Sequence, residues 1–323
     1  MLNEGIGHSH AKAILMGEHS VVYGEPAIAL PLKNIDMTVT ITVRSDQQQL
    51  IHSKYYEGTL RDLAGSYEGI RQLIMRLLTQ FNANDLGFDL RFASKIPQER
   101  GMGSSAATSI AIIRAFYQLF ETKLDTKTLR HLANIEESIT HGSPSGIDAA
   151  TTSSSDPIFF IKNKELTPFK IDIPGYLVIA DTGVMGQTGL AVSSVRRLFD
   201  EEPSSTRRLI SNLGQAAIEA KQALQDGDVE QLGDLMNKAH GYLHALGVSH
   251  PHLETLVKTA LKNGALGAKL TGSGIGGSII ALAKDLHDAK RIAKALIAAG
   301  AKEYWISPLS ADSQAEATEY SSL

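Results

Sequence analysis

The sequence predicts an α+β protein of two domains. The chain has 323 residues, where a domain typically holds about 100–200. Residues 1–95 read as mostly strands, and the region after 174 as mostly helices with a few short strands. The two element types mix without the strict alternation that a doubly wound sheet requires.

Taken in order, Ala11–Met16 is a short apolar run closed by Gly17, followed by the short runs Val21–Tyr23 and Ala27–Leu32. In Met37–Val43 the β-branched residues Val39, Ile41 and Val43 fall on one face, as in a half-buried strand, and Phe88–Phe92 alternates likewise. Between them Ile70, Leu73, Ile74, Leu77 and Leu78 recur at helical spacing over Ser66–Phe81. Helices are expected over Ser104–Phe120 and Thr126–Thr140, followed by a loop rich in Gly, Ser and Thr from Gly142 to Ser155. Ile171 to Gly175 reads as a connection, which places the domains at 1–173 and 174–323. Beyond it come a strand over Tyr176–Ala180 and helices over Thr188–Phe199, Thr206–Gln225, Val229–Leu246 and Leu253–Lys262. The strands Ala268–Leu270 and Ser278–Ala283 flank a glycine loop, and a helix over Asp285–Ala299 and a strand over Glu303–Ile306 close the pattern.

Composition narrows the function. Hydrophobic residues make up 43% and charged residues 20%, as in globular domains, which excludes a disordered chain, a collagen repeat and a coiled-coil rod. With 31 basic against 35 acidic residues the formal net charge is −4, so the basic excess of a nucleic-acid binder is missing. There is no cysteine, which excludes disulfides, thiolate metal sites and cysteine nucleophiles and fits a reducing compartment. The start carries no basic leader, and no apolar run approaches the ~20 residues of a membrane span. A cytoplasmic protein with no nucleic-acid or membrane partner is expected.

Three constellations can carry chemistry. The first is Pro97 to Ala107, where Gly101, Gly103, Ser104 and Ser105 stand between a strand and a strong helix. Backbone N–H groups at such a helix start can cradle a phosphate, and the serine hydroxyls can donate to phosphate or ligate Mg²⁺; a tight turn with a serine cap explains the same residues. The spacing also fits a dinucleotide fingerprint, but Glu121 closes a helix where a strand-ending acid is required. The second is Lys269 to Ser278, with glycines at 272, 274, 276 and 277, a loop that needs unusual backbone angles. The third runs from Glu137 to Asp148 and presents Asp148 ahead of the small residues Ala149 to Ser155, which leave room around it; capping a turn is its ordinary alternative role. Near the start, Lys12 on a mostly apolar strand is either snorkelling to the surface, the simpler reading, or paired inside. The close pairs His8 and His10, His240 and His244, and His250 and His252 lack the pattern of a zinc site.

Together these segments resemble the three motifs, in order, of the GHMP kinases, the superfamily of galactokinase, homoserine kinase, mevalonate kinase and phosphomevalonate kinase. The first motif is similar to Lys12 through Ala27, the second to Pro97–Ala107 and the third to Lys269–Ser278. Within the superfamily, Gly17 to Gly24 and His141 to Asp148 are most similar to the branch that acts on mevalonate. Ser9-His-Ala-Lys12, Met102 and Ile275 depart from the common pattern, and glycines rather than an arginine flank Thr188.

The resemblance implies a two-domain fold with the active site in the cleft between the domains. It implies ATP and Mg²⁺ as cofactors and transfer of a phosphoryl group to the 5-hydroxyl of mevalonate, giving 5-phosphomevalonate and ADP. By the resemblance Asp148 is the catalytic base and Lys12 its positive partner. Ser94, Glu99, Arg100, Gly101, Met102, Gly103, Ser104, Ser105, Gly272 and Gly274 fall at the nucleotide, Ser105 and Glu137 at the metal, and Glu18, His19 and Thr188 at the substrate. A homodimer is an accompanying expectation. The rivals are a sister kinase acting on phosphomevalonate, a sugar or homoserine, a non-catalytic nucleotide-binding regulator, and an NAD-dependent oxidoreductase.

Overall fold

The computed structural model describes residues 1–97, 100–141, 146–162, 164, 166–171 and 173–310. Their contacts divide into two compact units: the described residues of 1–11, 35–98 and 103–153 form the first, and those of 12–34, 99–102 and 154–323 the second. The units interleave along the chain, and residues 173 and 174 both lie in the second. Two long strands, β1 (Glu4–Met16) and β2 (Ala27–Val43), each have residues in both units.

In the first unit the latter part of β2 pairs antiparallel with β5 (Phe88–Ser94), with Val39 opposite Phe92 and Ile41 opposite Leu90. The order continues through β3 (Gln49–His52) to β4 (Glu57–Thr59). Met37, Val39 and Ile41 are buried while the threonines between them are partly exposed, the alternation of a strand with one covered face. Helix α1 (Glu68–Gln80) buries Leu73, Ile74, Leu77 and Leu78 as one stripe. Helix α2 (Ser104–Leu119) is buried nearly all round, which explains its run of Ala, Ile and Phe. Helix α3 (Thr126–His141) packs on both α1 and α2.

Ile147–Ser153 forms a helix, α4, where a loop was expected from the Gly-, Ser- and Thr-rich composition. Ala149 and Ala150 favour a helix, and the Thr151 and Thr152 hydroxyls bond back to the carbonyls of Ile147 and Asp148 at 2.7 and 2.9 Å. Packing on α2 buries Ala149, Ala150, Thr151 and Thr152.

In the second unit β6 (Ile158–Phe160) pairs with the start of β2 and with β7 (Thr167–Pro168). A separate antiparallel sheet has the order β11-β8-β10-β9, built from β8 (Tyr176–Asp181), β9 (Gly267–Thr271), β10 (Ser278–Ala283) and β11 (Glu303–Pro308). Every residue of β8, β9 and β10 is buried. Around them lie α5 (Thr188–Glu201), α6 (Pro203–Asp226), α7 (Val229–Ala245), α8 (Pro251–Lys262) and α9 (Leu286–Ala298). Helices α7 and α8 pack on β9, α9 packs on β8, and α6 lies against α7. Among the described residues no helix is long and apolar enough to cross a membrane.

Candidate active site

The groups expected at the site fall in both units. In the second unit residues 100–102 of the Pro97–Ala107 motif meet the third glycine loop. Gly101 and Gly272 both have left-handed backbones, φ 76° and 82°, and a Cβ built on Gly272 would stand 3.2 Å from the Gly101 Cα. Glycine takes these angles without strain, and the approach leaves little room for a Cβ at Gly272. Gly274 is tighter still, since a Cβ there would lie 2.0 Å from the Val248 carbonyl oxygen. Arg100 donates through Nε to the Asp181 carboxylate at 3.0 Å. Met102 is buried, and its carbonyl accepts the Lys12 N–H at 3.0 Å.

Lys12 is only 4% exposed, so the expectation of a snorkelling side chain is corrected. The Ala11–Met16 run around it is wholly buried, and its charge favours ionisation of the nearby Glu18. Glu18 is buried as well, and its Oε1 accepts a hydrogen bond from the fully buried Lys269 Nζ. Lys269 also donates to the Leu270 carbonyl at 2.8 Å. Burial pushes Glu18 up against the pull of Lys269, and it pushes Lys269 down. Sequence reasoning gave Lys269 no role of its own. The available signal was a lysine inside an otherwise apolar five-residue strand, which needs a buried acid somewhere else in the chain.

Two of the expected substrate residues meet at Ser273, in the same glycine loop. His19 Nε2 donates to the Ser273 carbonyl at 2.8 Å, and Thr188, the first residue of α5, donates through Oγ1 to Ser273 Oγ at 3.0 Å. A carbonyl can only accept, so the His19 proton sits on Nε2. Burial pushes the His19 pKa down despite this hydrogen bond, which keeps the ring neutral with its lone pair on Nδ1.

In the first unit the site elements are α2, α3 and α4. Helix α2 begins after Gly103, at φ 73°, which has no side chain to cap the first-turn N–H groups. Those groups and the helix dipole favour an anion at this end. Ser104 gives its carbonyl to Thr108 Oγ1 at 2.8 Å, and Ser105 Oγ donates to Glu136 Oε1 at 2.5 Å. Glu136 was not assigned from sequence, although the helical period contains it. On α3 the buried positions 129, 132, 133, 136 and 137 form one stripe, so both Glu136 and Glu137 fall on the packed face. The Ser105 hydroxyl and the Glu136 carboxylate are brought together, and Glu137 is the next residue on the same packed face; oxygen donors of this kind suit Mg²⁺.

Asp148 is the second residue of α4 and is partly exposed. Ser94 closes β5, where its Oγ accepts the Ile96 N–H at 3.0 Å. Glu99 and residues 142–145, which precede Asp148, lie outside the described residues. Asp285, His287 and Asp288 also bring possible ligand atoms together, on the first turn of α9. Asp285 caps the Asp288 N–H and Asp288 pairs with Arg291, so they serve the helix end.

Paired glycine loops in the second unit, and an anion-favouring helix start with a serine–carboxylate pair in the first, are each features of the kind small-molecule kinases use. Comparison with known proteins gives the family. The family profile "GHMP kinases N terminal domain" matches residues 69–155, and "GHMP kinases C terminal" matches residues 220–302. Mevalonate kinase of Pyrococcus furiosus is 33% identical over 319 residues, covering 91% of this chain and 93% of that protein. The crystal structure of mevalonate kinase from methicillin-resistant Staphylococcus aureus MRSA252 aligns at a TM-score of 0.77 and 34% identity, covering 95% of this chain and 99% of that one. That of L. major mevalonate kinase in complex with R-mevalonate aligns at 0.82 and 27%, covering 96% of each. The chain belongs to the GHMP kinase family.

Proposed function

We propose that this protein transfers the γ-phosphoryl group of ATP to the 5-hydroxyl of mevalonate, giving 5-phosphomevalonate and ADP. The single observation that carries the reading is the close approach of the Gly101 and Gly272 backbones. Two glycine loops in contact offer bare backbone to a polyphosphate, and phosphoryl transfer depends mostly on positioning and charge. The similarity to mevalonate kinases, one of them with R-mevalonate bound, supports the choice of alcohol.

In this reading Ser94, Glu99, Arg100, Gly101, Met102, Gly103, Ser104, Gly272 and Gly274 serve the nucleotide, with the α2 start stabilising phosphate oxygens. Ser105 and Glu137 hold Mg²⁺, and Glu136 orients the Ser105 hydroxyl. When bound, the ion supplies positive charge to the β- and γ-phosphates. Asp148 accepts the proton of the 5-hydroxyl, which is worth roughly 10²–10⁴-fold in rate. Lys12 favours the ionised carboxylate and offsets the forming alkoxide. Neutral His19 presents Nδ1 as an acceptor on the substrate side, with Thr188 and Glu18 in the same role by resemblance. Residues 1–173 and 174–323 are the functional halves, and the cysteine-free composition fits a cytoplasmic enzyme.

The test is ADP release with ATP, Mg²⁺ and a panel of alcohols: mevalonate, phosphomevalonate, homoserine and galactose. Mevalonate is expected to support turnover, with phosphorus NMR placing the new ester on the 5-oxygen. Turnover with phosphomevalonate in place of mevalonate, or with none of the four, overturns the reading.

A further inference from the structure

We propose that Glu254 is a positioning residue for the third glycine loop, and that by fixing this loop it sets nucleotide affinity. The inference rests on the reading that residues 272–274 contact ATP.

The loop is held against the corner between α7 and α8 at two points. At its entrance the Leu270 N–H donates to His240 Nδ1 at 3.4 Å. In its middle the Ile275 N–H donates to the Val248 carbonyl at 2.8 Å, the same oxygen that Gly274 approaches too closely for any Cβ. Both points lead to one carboxylate oxygen. Glu254 Oε1 accepts from Ser249 Oγ at 2.6 Å, one residue beyond Val248, and lies 3.1 Å from His240 Nε2. A third group, His244 Nδ1, stands 3.0 Å from the same oxygen.

The imidazole of His240 makes this chain directional. Its Nδ1 accepts from Leu270, so in the neutral ring Nε2 carries the proton and lies 3.1 Å from Glu254 Oε1, off the line of a hydrogen bond. Burial, together with the charge of the adjacent Lys269, favours that neutral form, while Glu254 opposes it. Glu254 therefore fixes the turn that receives Ile275 through Ser249 and places its charge beside the ring that receives Leu270. Second-layer carboxylates that orient a histidine in this way hold the geometry of the group it contacts.

A simple staple of α7 to α8 would lower stability without touching the nucleotide, so the test reads both. In the full chain, Glu254→Ala is expected to weaken binding of a non-hydrolysable ATP analogue about tenfold, as loss of a charged hydrogen bond implies. Turnover at saturating ATP and the KM for the alcohol should stay within about twofold. Unchanged analogue affinity in Glu254→Ala with a lowered Tm overturns the proposal. Should Glu254→Ala fail to fold, Ser249→Ala, which removes the bond from Glu254 to the turn that receives Ile275, is read in the same way, and parent-like analogue affinity there overturns it. Binding is read without any alcohol, so a parent protein inactive on mevalonate but able to bind the analogue refutes the proposed acceptor and leaves this test intact. A parent that binds no analogue overturns both.

Discussion

The two units supply their share of the candidate machinery by different means. In the second unit backbone does it: Gly274 passes Val248 closer than any side chain permits, and Gly101 and Gly272 meet at left-handed angles, in the unit that also holds the fully buried Lys269–Glu18 pair. In the first unit helices do it: α3 presents Glu136 and Glu137 from its packed stripe, and α2 brings Ser105 to Glu136. A backbone-built site tolerates an added atom only where no neighbour stands close. A helix-built site depends on which side chain stands at each turn, and its framework survives conservative exchange.

This difference is sharpest where a single change leaves a buried charge alone. Lys269→Met should cost about 3–5 kcal/mol, because the Glu18 carboxylate then lies buried without its cation. The double variant Glu18→Leu with Lys269→Met should recover most or all of the loss, since apolar groups of similar volume often replace a buried pair without cost. Urea denaturation of the three proteins measures this. A single variant as stable as the parent would mean that the pair is not held dry.

Next in size are the glycines. Gly274→Ala is expected to destabilise by about 1–3 kcal/mol or to displace the loop, given its φ of 75° and the 2.0 Å approach to Val248. Gly101→Ala meets nothing closer than 3.4 Å and should cost about 1 kcal/mol, the penalty of a left-handed alanine alone. Equal losses at the two positions would remove close approach as the reason for Gly274.

The smallest effect is a pH dependence. Burial lowers the pKa of His19 and His240, so below about 6.5 the unfolded chain binds protons that the folded chain refuses. Stability should therefore fall as pH drops from 7 toward 5. His19→Asn should flatten that slope in denaturation curves across the same range. An unchanged slope would show that His19 titrates alike folded and unfolded.

The same contrast explains what the sequence made legible. Long amphipathic helices were readable because their period is local, and α1, α3 and α6 to α9 lie within a few residues of where the pattern places them. The glycine motifs were readable because few residues can take their backbone angles. The Ser105–Glu136 and Lys269–Glu18 pairs were not, since partners 31 and 251 residues apart leave no local trace. Helix α4 was missed because Thr and Ser in isolation favour turns, while packing on α2 decides otherwise. Lys12 was misread for the same reason, since burial of a lone lysine depends on residues far away in the chain.

The role given to Asp148 is the claim on which the chemistry turns, and Asp148→Asn tests it most directly. Steady-state turnover with ATP and mevalonate should fall by roughly 10²–10⁴-fold, while calorimetry shows ATP-analogue affinity within about twofold of the parent. Turnover near the parent's would contradict the account.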